Sequence, residues 1–182
     1  MKKVLLPIIA MLAFSCSQPA ANTETEALAE AQGAGQSAVK DDTSEPDVVR
    51  IAVGSPDHTT LVAALKAAKY LDALSNAGPF TVFAPTDAAF AKLPAGTVEN
   101  LVKPENKATL QNILEYHVYV GAIREDYVQD GMKLNQVNLD NVTLNKKDGK
   151  ITVNGANVLG VVKASNGVVY IIDAVLLPPD KK

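Results

Sequence analysis

Residues 80–90, Phe80-Thr-Val-Phe-Ala-Pro-Thr-Asp-Ala-Ala-Phe90, place a strand, an enforced stop and a helix start in immediate succession. Phe80, Thr81, Val82 and Phe83 are aromatic or β-branched and follow Gly78-Pro79, so 80–83 reads as a short buried strand. Pro85 has no N–H to give a ladder and biases Ala84 toward extended geometry, which ends the strand there. Thr86 or Asp87 then offers a side-chain oxygen to the first free amides of a helix, and the Asp87 charge suits the positive end of its dipole. Both are read as caps rather than as ligands. Phe90 and Leu93, three apart, grip the core from one helical face.

Outward from this stretch, helices come first and strands follow. Apolar residues return at 47–53, and 57–60 supplies caps for a helix through Leu61, Leu65 and Ala68. Tyr70, Leu71 and Leu74 continue it until Asn76-Ala-Gly78-Pro79 stops the chain. Downstream, Thr97 caps a short helix carrying Val98, Leu101 and Val102. Pro104 opens the longest helix, through Ala108, Leu110, Ile113 and Leu114, which delivers the chain into a strand over 116–120 ended by Gly121. The remainder reads as strands at 132–137, 142–144, 151–153 and 158–162, joined by turns at Lys147-Asp148-Gly149, Asn154-Gly155 and Ser165-Asn166-Gly167. The run 168–177 is apolar apart from Tyr170 and Asp173, which predicts a strand covered on both faces and hence central. Asp173, a carboxylate inside that strand, needs hydrogen-bond partners and is expected to tether a turn. Helices first and strands second give an α+β class.

The chain has 182 residues, 47% of them hydrophobic, enough for one well-buried domain and too few for two large ones. Trp is absent and aromatics are 5%, so the core rests on Val, Leu, Ile and Ala. Lys2-Lys3, the apolar run 4–14 and Ser15-Cys16 read as a signal peptide over 1–15, too short for a membrane span. Cys16 is the single cysteine, so no internal disulfide exists. Residues 16–46 are polar, with Leu28 and Val39 as rare large apolar positions, and read as a flexible tether; 47–179 forms the domain. Removing 1–15 takes two of the 17 basic residues and none of the 20 acidic ones, moving the formal charge from −3 to −5. A mildly acidic chain without a basic run argues against nucleic acid as a partner.

Three stretches in order resemble the signatures of the fasciclin-like domain: 80–90, Tyr116-His117-Val118, and the run from Asn166-Gly167 through Asp173 to Pro178. The leader end resembles a bacterial lipobox, which implies that Cys16 becomes the lipidated first residue of a lipoprotein. The resemblance implies a compact β-sandwich or wedge with helices packed alongside, and an extracytoplasmic interaction module in the cell envelope, on the outer membrane or cell surface, with a periplasmic or secreted location as the alternative. In the family the Tyr-His pair is linked to adhesion as well as to folding, which makes Tyr116 and His117 candidate binding residues. The Asp-Ile pair that animal adhesive members use for integrins is replaced here by Val161 and Val162, so that recognition is not carried over. Tyr170 stands where the final signature commonly has His.

His117 tempts a catalytic assignment, yet the domain has no Cys, the other histidine is His58, and neither carries metal-ligand spacing, so no cofactor, metal or catalytic residue is expected. A buried, backbone-bonded His117 is the favoured reading. Two functions compete: a non-enzymatic adhesion module binding a protein or glycan partner at the surface, and a carrier or sensor of a small apolar ligand. A cavity of several hundred Å³ would favour the carrier, and a nucleophile within hydrogen-bond reach of either histidine would revive a hydrolase.

Overall fold

The structure, a computed structural model, describes residues 45–179. The leader 1–15, Cys16 and all but the last two residues of the stretch 16–46 lie outside the described residues.

Three short helices come first. Asp47 accepts the Arg50 amide at 2.7 Å and starts α1 (Val48–Gly54), which buries Val48, Val49 and Ala52. α2 (Thr59–Ala68) buries Leu61, Ala64, Leu65 and Ala68, four residues that the helical period places on one stripe. It ends at Lys69, whose φ of 56° is left-handed and turns the chain into a separate α3 (Leu71–Ser75) rather than a continuation. Then come β1 (Phe80–Pro85), α4 (Asp87–Phe90), α5 (Thr97–Leu101), a 3₁₀ turn at Pro104–Asn106, and α6 (Lys107–Tyr116). α2 and α6 are equally long at 10 residues. Gly96, at φ 81°, stands at the cap of α5 with no side-chain bond; Thr97 is its first helical residue and not its cap.

The remaining strands are β2 (Val118–Val120), β3 (Met132–Asn135), β4 (Asn141–Lys147), β5 (Lys150–Val153), β6 (Ala156–Ala164) and β7 (Gly167–Ile172). They form one sheet in the order β2-β1-β7-β6-β5-β4-β3, with β1 parallel to β7 and the other neighbours antiparallel. The predicted run 116–120 is strand only from Val118, because α6 continues through Tyr116. The turns between β4 and β5 and between β5 and β6 place Asp148-Gly149 and Asn154-Gly155 at positive φ, the geometry that closes two-residue hairpins.

The sequence reading ended β1 before Pro85, yet the strand runs through it, paired to Ile172. The reason lies in which edge each amide faces. Thr86 donates to Ile172 on the β7 side and Phe83 donates to His117 on the β2 side, so position 85 faces the β2 side, beyond the end of that strand. The proline costs no ladder bond. β7 in turn ends at Ile172, so Asp173 lies just past the strand rather than inside it.

Pleating divides the core in two. Phe83, Val168, Tyr170 and Ile172 point into a cluster that β3, β4 and β5 complete with Leu134, Val142, Leu144, Ile151 and Val153. Val82, Ala84 and Val169, on the opposite face, meet α1, α2, α3 and α6 through Val49, Leu61, Leu65, Leu74 and Leu114. β1 and β7 are thus buried on both sides, and truncating Phe83, fully buried, would cost about 3–5 kcal/mol.

One residue fastens these layers. The Asn166 side chain accepts the Val48 amide at 2.9 Å and donates to the carbonyls of Leu74 at 2.7 Å and Asn76 at 3.0 Å, while its own carbonyl takes the Phe80 amide at 3.0 Å. The backbones pass so closely here that a Cβ on Gly167 would overlap the Phe80 carbonyl, and one on Gly78 the Asn166 carbonyl. Asn166→Ala is expected to lower unfolding free energy by about 3 kcal/mol, from lost bonds and orphaned carbonyls, whereas Ser165→Ala in the same turn should be near neutral; urea unfolding of both variants measures the difference.

Candidate functional site

The sequence-selected residues do not converge on one cleft. Those among the described residues sit at four junctions of the fold, and each is occupied in holding its junction together.

At the first junction α6 gives way to β2. His117 closes the helix at φ −92°, ψ 0°, which swings its ring inward, where it is 4% exposed. Nδ1 lies 2.7 Å from the Ile113 carbonyl, an acceptor, so Nδ1 carries the proton; Nε2 therefore accepts the Leu176 amide at 3.0 Å. The ring links α6 to the segment after β7, and the His117 carbonyl receives the Phe83 amide at 2.8 Å. Burial disfavours the charged ring and lowers its pKa to about 4, against a smaller opposing effect of the bond to Ile113. Tyr116, 2% exposed, donates to the Asn141 carbonyl at 3.1 Å and accepts from Asn154 Nδ2 at 2.8 Å. Asn154, held at φ 49°, also takes the Thr143 amide at 2.8 Å, so the tyrosine reaches across to the β4 and β5 hairpin. Burial raises the Tyr116 pKa.

At the second junction Thr86 and Asp87 divide the capping between two helices. Thr86 Oγ1 accepts the Ala89 amide of its own helix α4 at 3.3 Å. Asp87 does not cap α4. Its carboxylate caps α2, accepting the Thr60 amide at 2.8 Å, the Thr59 amide at 3.2 Å and the Thr59 hydroxyl at 2.6 Å. This is why α2 starts without a side-chain cap from its own neighbour His58. Burial pushes the Asp87 pKa up, but the bonds from Thr59 and Thr60 outweigh it and bring it down to about 2. Spacing alone could not assign the acid to a helix 27 residues upstream.

At the third junction Asp173 receives the Asn157 amide at 2.8 Å and its side-chain amide at 2.9 Å, with Lys92 3.6 Å away. The bond from the Asn157 side chain is the main cause of its lowered pKa. The carboxylate fastens the end of β7 to β6. Asn166 and Gly167 form the fourth junction, described above.

Thr81 and Tyr170 carry buried hydroxyls whose partners the sequence did not reveal. Thr81, fully buried, donates to the Gly121 carbonyl at 2.6 Å and accepts the Ile123 amide at 2.9 Å. Tyr170, also fully buried, donates to the Ile123 carbonyl at 2.9 Å and packs its ring 5.7 Å from that of Phe83. Burial, aided by Glu125 and Asp126, pushes its phenol up to about 12. Both hold the segment 121–123 against the central strands, a role that a residue type in a strand pattern does not reveal.

A hydroxyl does lie beside a histidine: Ser55 Oγ is 2.8 Å from His58 Nδ1. The pair is a local turn. Ser55 caps the 3₁₀ turn Pro56–His58 by accepting the Asp57 amide, and among the described residues His58 Nε2 is buried without a partner, so none of them serves as a third group orienting the ring toward an attack geometry. Among the described residues no group of three His, Cys, Asp or Glu side chains could hold a metal. The apolar space between helices and sheet, bounded by Val49, Leu65, Val82, His117 and Val169, encloses about 20 Å³, whereas small-molecule sites need about 300–1,000 Å³.

The central strands of the sheet are buried on both faces, and the polar side chains of the three signature stretches are spent on internal junctions. The family is explicit in the comparisons: residues 56–178 match the fasciclin domain, and the chain belongs to that family. Protein sll1483 of Synechocystis sp. is 45% identical over 179 residues, covering 96% of each chain. The immunogenic protein MPB70 of Mycobacterium bovis is 36% identical, covering 94% of this chain and 91% of its own. The cell surface glycolipoprotein MPB83 of the same species is 34% identical, covering 90% and 81%. Among solved structures, a FAS1 domain pair from the insect cell adhesion molecule fasciclin I aligns with a TM-score of 0.64 at 20% identity, over 72% of this chain and 51% of that one, a likeness of fold.

The His117 geometry fixes a pH dependence. Its folded pKa of about 4 lies below the ordinary 6.5, so the unfolded chain binds the proton first; stability is full above pH 6.5 and falls as pH drops toward 4, by about 2 kcal/mol at pH 5. His117→Ala should lose about 2–4 kcal/mol at pH 7 from the cavity and the unpaired Ile113 and Leu176 groups, and should show a flatter change between pH 7 and 5. Urea midpoints across that range test both.

Proposed function

We propose that the chain is a lipid-anchored module of the cell envelope whose fasciclin domain binds another macromolecule and turns over no substrate. The observation that carries this reading is the internal use of the polar signature residues: Tyr116, His117, Thr86, Asp87, Asn166 and Asp173 each bond to backbone or a neighbouring side chain. Recognition then falls to the outer surface. Likeness to a mycobacterial cell surface glycolipoprotein supports a surface location. The basic flank Lys2-Lys3, the apolar run and Cys16 support the anchor. Several acyl chains on Cys16 would hold the bilayer firmly, since each buried CH₂ contributes about 0.8 kcal/mol. The partner is a protein or glycan at the surface. The carrier reading, which needs a pocket between helices and sheet, is disfavoured among the described residues, because the apolar space there, about 20 Å³, admits no organic ligand.

Cys16→Ala is expected to move the protein from the detergent phase to the aqueous phase on phase partitioning of whole cells. Unchanged partitioning of the variant would contradict the anchor.

A further inference from the structure

β6 is paired on both edges only at its start. β5 reaches it at Thr152↔Asn157 and Val153↔Ala156, and beyond these its partner is β7. The two-residue turn Ser165-Asn166 makes Ala164 and Gly167 a hydrogen-bonding pair. Alternation along an antiparallel ladder then turns the amides and carbonyls of Val161 and Lys163 away from β7. Among the described residues no loop backbone bonds to those groups. An edge of this kind is a template for another strand. A register shift between Val158 and Gly160 also pushes Leu159 out, where it is 61% exposed.

The edge borders a groove. A hollow of about 400 Å³ between Arg124, Lys146, Val161 and Lys163 shares Glu125 and Val161 with a second, of about 180 Å³, beside Lys150 and Leu159. Four cations and two carboxylates, Glu125 and Asp126, leave a formal charge of +2 there, in a chain whose formal charge is −3. Arg124 is spent on Asp126 at 3.1 Å and on the Tyr127 ring at 5.6 Å. Lys146 holds the Glu125 carbonyl at 3.0 Å, fixing the far wall. Lys150 and Lys163 make no ion pair among the described residues.

We propose that this edge and groove take up an extended acidic segment of a partner protein as an added strand. Its backbone pairs with Val161 and Lys163, its carboxylates meet Lys150 and Lys163, and an apolar side chain covers Leu159. A uronic acid polymer would meet the same cations but lacks the regularly spaced N–H donors that the outward carbonyls require, so a peptide fits better. The assignment rests on the reading of the domain as a macromolecule-binding module.

The test titrates the full chain, purified in detergent, with a fluorescent peptide of alternating valine and glutamate, and with the same peptide N-methylated at alternate amides. Saturable binding is expected, with amide NMR shifts confined to 124–126 and 159–163. Lys163→Glu and N-methylation should each weaken it by about tenfold or more, from one lost charge-assisted or backbone contact. Equal binding of the two peptides, binding to neither, or alginate binding that exceeds that of the peptide would overturn the proposal. So would a concentration-dependent dimer of the chain alone that Lys163→Glu abolishes, which assigns the edge to a second copy. If Lys163→Glu leaves partner crosslinking on intact cells unchanged, the edge assignment fails while the surface-binding reading stands; if the unaltered chain crosslinks to nothing, that wider reading fails first.

Discussion

Parallel pairing of β1 with β7 is the contact on which the other layers rest. It joins Phe80 to Gly167 and continues to Pro85 and Ile172, so one face of each strand serves the helices and the other the curled sheet. Such a pair has no hairpin to set its register and must bring distant parts of the chain together, an entropic cost that only burial on both sides offsets. Glycine at positions 78 and 167 removes the obstacle to close approach, and Asn166 converts that approach into bonds to Val48, Leu74 and Asn76.

From this follows a division between inside and outside. Groups that elsewhere carry chemistry are here neutralised by partners: a histidine fixed as one tautomer between two backbone groups, a carboxylate lowered to about pKa 2 by capping α2, a tyrosine bonded at both ends of its hydroxyl. Buried polar groups that are fully paired rigidify a core and specify one arrangement of it. A rigid core with little internal space leaves the outer surface for the recognition proposed above, and there β6, still paired to β7, exposes the edge that β5 covers only at its start.

Much of this order was legible in the chain itself. The aromatic and β-branched run of β1, the Asp-Gly and Asn-Gly turns and the doubly apolar run of β7 announced a central strand and its hairpins, because these are local signals. Pro85 misled, since a missing amide terminates a strand only where a neighbour waits for it, and that depends on the length of β2. Asp87 was readable as a cap but not as the cap of α2, because the pairing is tertiary. Thr81 and Tyr170 looked like ordinary strand residues; their bonds to the segment 121–123 are set by how the sheet curls. The basic groove was invisible, since Arg124, Lys146, Lys150 and Lys163 come from separate elements and form no run in the sequence.

Native-state hydrogen exchange measures the central pairing most directly. The amides of Phe80, bonded to Asn166, and Thr86, bonded to Ile172, should exchange only through global unfolding, together with those inside β7. His117→Ala should lower their protection by the same amount as it lowers overall stability. Faster exchange at β1 and β7 than in the β4 and β5 hairpin would mean that the parallel pair is not what the fold is built on.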